Sequence, residues 1–385
     1  MSRFLQLHIL TSYPPANLNR DDTGRPKTAL MGDAQRLRVS SQCGKRAWRT
    51  SDVFKSALTQ GQAGAASPGV VLWEDTPHPH LGTRTKETGV QVYRALAQCG
   101  IKDKDAKAWA ASIAQQFGKL QKEKKDEALN ELRIEQLCHV SPEERSAIDA
   151  LVQACATRQG APTDAELELL RQPQAAVDIA MFGRMLANTP AYNVEAAVQV
   201  AHAVTVHKAA VEDDYFSAVD DLNRDDKGAG HIGERGFGAG LFYQYVCVNR
   251  ELLTKNLGGD NTELAKRSIG ALLHAIAKVA PTGMQNSHGS RAYASYMLAE
   301  RGDQQPRSLV QAFLKPVKPA EDGDMYELSV NAMERRCTNF DKVYGSCADR
   351  RRRLDVGNPD RKTEPDDPLG PIGSFAELVA FAQED

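Results

Sequence analysis

Residues 5–49 read LQLHILTSYPPANLNRDDTGRPKTALMGDAQRLRVSSQCGKRAWR, and three changes of pattern in and around that stretch decide how the chain is read. Between residues 3 and 10 apolar positions (Phe4, Leu5, Leu7, Ile9) alternate with Gln6 and His8, the period of an edge or half-buried strand that stops at Pro14-Pro15. Residues 16–39 are rich in Asn, Asp, Gly and Pro with little periodicity and read as a long loop, a kind of segment that more often than not carries function. From Ser40 to about Leu58 helical spacing returns, with Ser40 or Ser41 placed to cap the helix.

The same stretch holds most of the charge asymmetry of the chain. The 385 residues carry a net charge of −2, yet residues 1–50 hold nine bases against the three acids Asp21, Asp22 and Asp33. At about 100° per residue, Lys45, Arg46 and Arg49 fall within about 60° of Gln42, whereas Cys43, Ala47, Phe54 and Leu58 fall at about 100–160°. One face of the helix is therefore basic and another apolar. Five bases and no acid lie between Arg36 and Arg49. With Arg20, Arg25 and Lys27 that face either tracks a phosphate backbone or is an ordinary solvated surface. Ser40 and Ser41 would add hydroxyls and backbone N–H groups to an anion site.

The remaining pattern describes an α+β chain with a helical insertion. Residues 61–82 are rich in Gly, Pro and Ala and read as a connection. Helical periodicity follows over 85–99, 103–118, 121–138, 143–157 and 164–171. Residues 175–186 and 200–211 then show the β-branched and aromatic content of strands. Acid doublets at 213–214, 220–221 and 225–226 and six glycines between 228 and 240 make 212–240 a long excursion that leads into the strand-like run 241–248. A helix is expected at 261–279.

Composition excludes several classes. Hydrophobic residues make up 41% and charged residues 25%, as in folded globular proteins. No apolar run reaches the roughly 20 residues of a membrane span, and the N-terminal segment is too short and polar for a signal peptide, so a cytoplasmic protein with no membrane partner is expected. Seven cysteines with no CxxC pair support neither a disulfide framework nor a zinc knuckle and read as buried or inert thiols. The histidine spacings match no metal motif, and neither a G-x-S-x-G nor a Walker A run is present. GAGHIG at 228–233 lacks the flanking strand and helix of a dinucleotide fingerprint. No cofactor is expected. The run Arg350–Arg353 reads as a solvated charge cluster or as a contact for a polyanion or partner.

Taken as a whole, residues 5–49 closely resemble the opening of the CasC-type backbone subunits of the type I-E CRISPR surveillance complex, Cascade, within the RAMP superfamily. The resemblance continues through DIAMFGRMLA (178–187), NVEAAVQVAHAVTVH (193–207), VEDDYFSAVDDL (211–222) and GAGLFYQYVCVN (238–249). It implies a right-hand shape: an RRM-like (ferredoxin-like) palm over 1–59 and 173–385, helical fingers over 60–172, and a thumb at 208–240. It also implies a non-catalytic, CRISPR RNA-binding protein that polymerises head to tail with other copies of itself, usually six. Such a protein assembles with other Cascade subunits and presents the guide for pairing with target DNA.

Carried over by position, the resemblance assigns RNA contacts to Arg20, Lys27, Ser40, Gln42, Lys45, Arg46 and Arg49, to Met181, Phe182 and Arg184, and to Phe216 and Ser217 at the thumb. Core packing is the alternative for Met181 and Phe182, and packing of thumb on neighbour for Phe216. Gly44 departs from a good helix former inside the basic helix, which points to a distorted turn or a close backbone approach. The competing reading is a metal-dependent ribonuclease using Asp21, Asp22 or Asp33, since related backbone subunits of type III complexes cut bound RNA with a loop aspartate.

Overall fold

A computed structural model of the chain describes residues 2–59, 78–170, 176–186, 193–218, 231–318 and 323–385. The acid doublets at 220–221 and 225–226, most of the 61–82 connection and the first three residues of the GAGHIG run lie outside the described residues. The chain divides into two compact units: Met1–Ala57, Gln199–Arg250 and Lys266–Asp385 form the first, Leu58–Val198 and Glu251–Ala265 the second.

The second unit takes in more than the 60–172 block. Residues 177–182, read from composition as a strand, form the helix Val177–Phe182. Val177, Ile179, Ala180 and Met181 are all buried, and a segment apolar all round has no period to separate strand from helix. Asp178 accepts a bond from the Gly82 N–H at 2.8 Å, and Asn256 donates to the carbonyls of Ala180 and Glu195. These bonds tie the helix and residues 251–265 into this unit. Its other helices include Thr88–Gln98, Asp103–Gln115, Pro142–Arg158, Asp164–Leu169 and most of Arg250–Asn256. The expected helix at 121–138 is absent, with only the short 3-10 turn Asn130–Leu132 in its place. Pro142–Arg158 and Asp164–Leu169 both begin with a reciprocal capping box, Ser141/Glu144 and Thr163/Glu166.

The first unit is built on an antiparallel sheet. Its strands are β1 (Phe4–Ala16), β2 (Thr28–Met31), β3 (Ala34–Val39), β4 (Ala203–Thr205), β5 (Glu212–Ala218), β6 (His231–Asn249), β7 (Ala294–Gly302) and β8 (Arg350–Asp355). The order across the sheet is β8-β7-β1-β6-β4-β3-β2, and β5 pairs with the outer half of β6. β1 is therefore a central strand, not an edge, bonded to β7 on one side and β6 on the other. Residues 5–11 are buried on both faces, Gln6 and His8 included.

The alternation in β1 reflects a buried polar cluster rather than solvent. Glu300 on β7 is fully buried and its carboxylate accepts from His8 Nε2 at 2.8 Å, Arg307 Nη1 at 2.6 Å and Arg351 Nε at 2.8 Å. The other ring nitrogen, His8 Nδ1, lies 3.0 Å from the Tyr243 hydroxyl, which accepts from the Leu309 N–H. This chain is satisfied by a neutral imidazole protonated at Nε2, with Tyr243 donating to Nδ1. The Arg350–Arg353 run is explained by the same cluster. The strand period of β8 sends Arg351 and Arg353 inward, where Arg351 meets Glu300 and Asp341, and Arg353 meets Glu334 and Asp367. Only Arg350 and Arg352 remain on the outer side, so the solvated reading fails for half of the run.

Burial alone would raise the Glu300 carboxyl, but the hydrogen bonds from His8 and Arg307 and the Arg307 charge hold it well below the usual carboxylate range. Burial also lowers His8 against the opposing pull of Glu300. Removing Glu300 strands its basic partners, so Glu300→Ala is expected to cost about 3–5 kcal/mol in denaturant unfolding, and a loss below about 1 kcal/mol would contradict this account. The unfolded chain binds a proton at His8 near pH 6.5 while the folded chain resists it. Stability is therefore expected to fall as pH drops from about 7.5 to 5.5, and His8→Gln, compared over the same range, should flatten part of that slope.

Candidate nucleic-acid interface

The segment 16–39 is ordered by its own backbone. Asp21 accepts from the Thr23 N–H and hydroxyl and from the Arg25 N–H, closing a turn on itself. Lys27 N–H donates to the Asn19 carbonyl and Arg38 N–H to the Lys27 carbonyl. β2 and β3 form a two-residue hairpin whose central residues Gly32 and Asp33 have φ of 58° and 61°, the left-handed pair such a turn requires. A Cβ on Gly32 would fall 1.6 Å from the Leu314 carbonyl oxygen, so no other residue fits there.

Helix α1, Ser41–Thr50, leaves this hairpin through its cap. Asn19 Oδ1 accepts from the Ser40 N–H at 2.9 Å, and the Ser40 hydroxyl accepts from Cys43 N–H at 3.3 Å. The helix does not run unbroken to residue 58. Ser51 turns extended at ψ 145°, and its hydroxyl accepts from Phe54 N–H to start the next helix, Asp52–Thr59. Gly44, Ala47 and Trp48 of α1 are buried, Gln42 and Arg46 are exposed, and Lys45 and Arg49 are half-buried. The expected division into basic and apolar faces is thus present. Burial lowers the Lys45 ammonium and raises the Cys43 thiol.

Arg20 is exposed and Lys27 half-buried on the loop before this helix, so Arg20, Lys27, Ser40, Gln42, Lys45, Arg46 and Arg49 occupy one continuous segment of the first unit. Ser40 is buried as the cap. Arg38, one of the five bases counted between Arg36 and Arg49, joins it, and so does His202, which the sequence passed over. Arg38 leads β3 out toward α1, and His202, just before β4, accepts from the Ser41 N–H through Nδ1 at 3.0 Å. Burial and the charges of Arg38 and Lys27 lower the His202 imidazole, which keeps Nδ1 available as an acceptor. With His202 and Ser41 161 positions apart, no local pattern could have paired them.

The β5–β6 arm is fastened to the same segment. Arg25 pairs with Asp213 at 2.9 Å, and Asn17 Nδ2 donates to the carbonyls of Gly24 and Gly236, both at 2.9 Å. Further out, Phe216 is half-buried and Ser217 exposed, both on β5. Met181, Phe182 and Arg184 lie in the second unit, and two of them are spoken for. Met181 is 0% exposed, and Arg184, 5% exposed, binds both oxygens of Glu144 at 2.7 and 2.8 Å and the His139 carbonyl. The Met181 side chain is fully buried and the Arg184 guanidinium is held in an ion pair, so neither side chain is presented to a ligand. Phe182 is partly exposed.

Residues 5–380 match the family model described as CT1975-like protein. The chain belongs to the CT1975-like protein family. Among solved structures it is similar to a chain of a CRISPR RNA-guided surveillance complex, pre-nicking, with 28% identity, 99% of each chain covered and a TM-score of 0.81. A second CRISPR RNA-guided surveillance complex holds a chain of the same fold at 24% identity, covering 99% of this chain and 98% of that one, with a TM-score of 0.60. No curated protein matches.

Gly44 is a point where stability alone can be read in this region. A Cβ there would lie 3.5 Å from the Trp48 ring and 3.7 Å from Gln244 Nε2, ordinary contact distances. Gly44→Ala is therefore expected to fold and to gain up to about 1 kcal/mol from helix propensity, measured by thermal or denaturant unfolding. A loss of stability would show that α1 needs a closer approach to β6 than the structure gives it.

Proposed function

We propose that this family member is a non-catalytic backbone subunit of a type I-E Cascade-type CRISPR complex, binding the CRISPR RNA through the loop 17–28 and helix α1. In this reading the antiparallel sheet is an RRM-like palm, the second unit the fingers, and the β5–β6 arm the thumb. Successive copies line the guide, and other subunits of the complex close the ends. The observation that carries the proposal is the joining of the loop that leads to α1 to the base of the arm by the Arg25–Asp213 and Asn17–Gly236 bonds. The full-length similarity to a surveillance-complex chain supports it.

The chemistry suits a guide of any sequence. Cations on a backbone-built loop and one helix face neutralise phosphates without reading bases, which leaves base edges to pair with target DNA. The ribonuclease reading is less well supported by the loop acids. Asp21 is committed to its own turn, and Asp33 occupies the left-handed corner of the β2–β3 hairpin, positions fixed by local folding. Among the described residues no group of three or more His, Cys, Asp and Glu side chains is placed to hold a metal ion.

Replacing Lys45 and Arg49 together with Glu should abolish retention of co-expressed guide RNA while leaving the circular dichroism of the fold intact. In the unaltered protein, log affinity for single-stranded RNA should fall with log salt at about −0.7 per phosphate neutralised. Guide retention by the double variant would contradict the assignment of the helix. Cleavage of bound RNA on addition of Mg²⁺ or Mn²⁺, lost in Asp33→Ala, would favour the nuclease.

A further inference from the structure

The β5–β6 arm carries an arginine that the RNA-contact assignment does not include. Pairing places Phe216 directly across from Gly233 and Asp214 across from Arg235, so all four side-chain positions share one face of the arm. The Phe216 ring lies down over Gly233: a Cβ built on that glycine would sit 2.3 Å from the ring's Cζ. The Arg235 guanidinium is 4.5 Å from the ring centroid. Arg235 has a carboxylate directly across the strand pair at Asp214, yet among the described residues it forms no ion pair and covers the ring instead. The ring is half-buried and the arginine exposed.

We propose that Arg235 and Phe216 form a composite stacking platform for a nucleobase of single-stranded RNA, with the guanidinium as a contacting surface rather than a spectator. The inference rests on the RNA-binding reading above and deepens it. A planar guanidinium stacks on a base as readily as an aromatic ring does, with no demand on base identity, and adds positive charge beside the phosphates. The phenyl ring backs the guanidinium at 4.5 Å, and Gly233 leaves the room the ring occupies. Arg25–Asp213 and Asn17–Gly236 set the arm at its base, so the platform is held at a fixed distance from the basic segment.

The test uses the full-length chain and single-stranded RNA oligonucleotides carrying 2-aminopurine at one position at a time. In the unaltered protein, binding should quench the probe at a subset of positions. Arg235→Ala should relieve that quenching and weaken binding about tenfold. Arg235→Lys, which keeps the charge and loses the plane, should relieve quenching to the same extent while preserving the salt slope. Gly233→Ala, which lifts the ring, should behave like Arg235→Lys. Tyr215→Ala, on the opposite face of the arm, should leave the quenching as it is. If Arg235→Lys quenches like the unaltered protein and only Arg235→Ala binds more weakly, Arg235 is a phosphate contact and the platform is overturned. Unchanged quenching in all the Arg235 and Gly233 variants overturns it equally. Absence of RNA binding by the unaltered chain would instead overturn the functional reading on which the platform rests.

Discussion

The carboxylate of Glu300 is held inside the first unit by groups that arrive from three separate parts of the chain: His8 on β1, Arg307 after β7, and Arg351 on β8. A buried charge of this kind is costly unless every partner is in place, so the cluster tolerates one register of β8, β7 and β1 and penalises slippage. β6 joins the same arrangement through Tyr243 and then continues outward as one strand of the arm. The strand that helps fix the core also carries Gly233 and Arg235.

That continuity gives the candidate site its rigidity. The basic loop begins where β1 ends, is closed by backbone bonds and an Asp21 turn, and hands over to α1 through the Asn19–Ser40 bond. His202 reaches the first N–H of α1 from the β4 side. The helix end, loop and arm are thus each tied to a sheet strand, which suits a surface meant to hold a flexible polyanion in one conformation.

Some of this was legible in the sequence and some could not be. The faces of α1 followed from spacing, because a short amphipathic helix on a sheet leaves one stripe exposed. The long strand-like run after residue 240 and the helix Thr262–Lys278 were likewise plain in the pattern. β1 reads as an edge or half-buried strand, rather than the central one, buried over residues 5–11, that it is, because Gln6 and His8 alternate with apolar residues as if facing water, while their partners Tyr245 and Glu300 lie far away in sequence. The β2–β3 hairpin hid inside a supposed loop because its turn is Gly-Asp rather than the stronger Asn-Gly or Asp-Gly signal. Residues 177–182 read as a strand because a helix buried at 177–181 shows no period, whereas Met181 enters as a contact only through the resemblance, which carries no information on which side chains are buried. The Arg350–Arg353 run needed the knowledge that it forms a strand before its alternate residues could be sent inward.

The central claim is that this chain is a scaffold on a guide RNA, and composition of the assembled particle tests it most directly. The chain would be co-expressed with a CRISPR array and the other subunits of its complex, and the purified assembly weighed and its RNA sized. The account predicts one discrete RNA of guide length with several copies of the chain per RNA. An assembly free of RNA, or one whose RNA is cut at regular intervals when divalent metal is supplied, would contradict it.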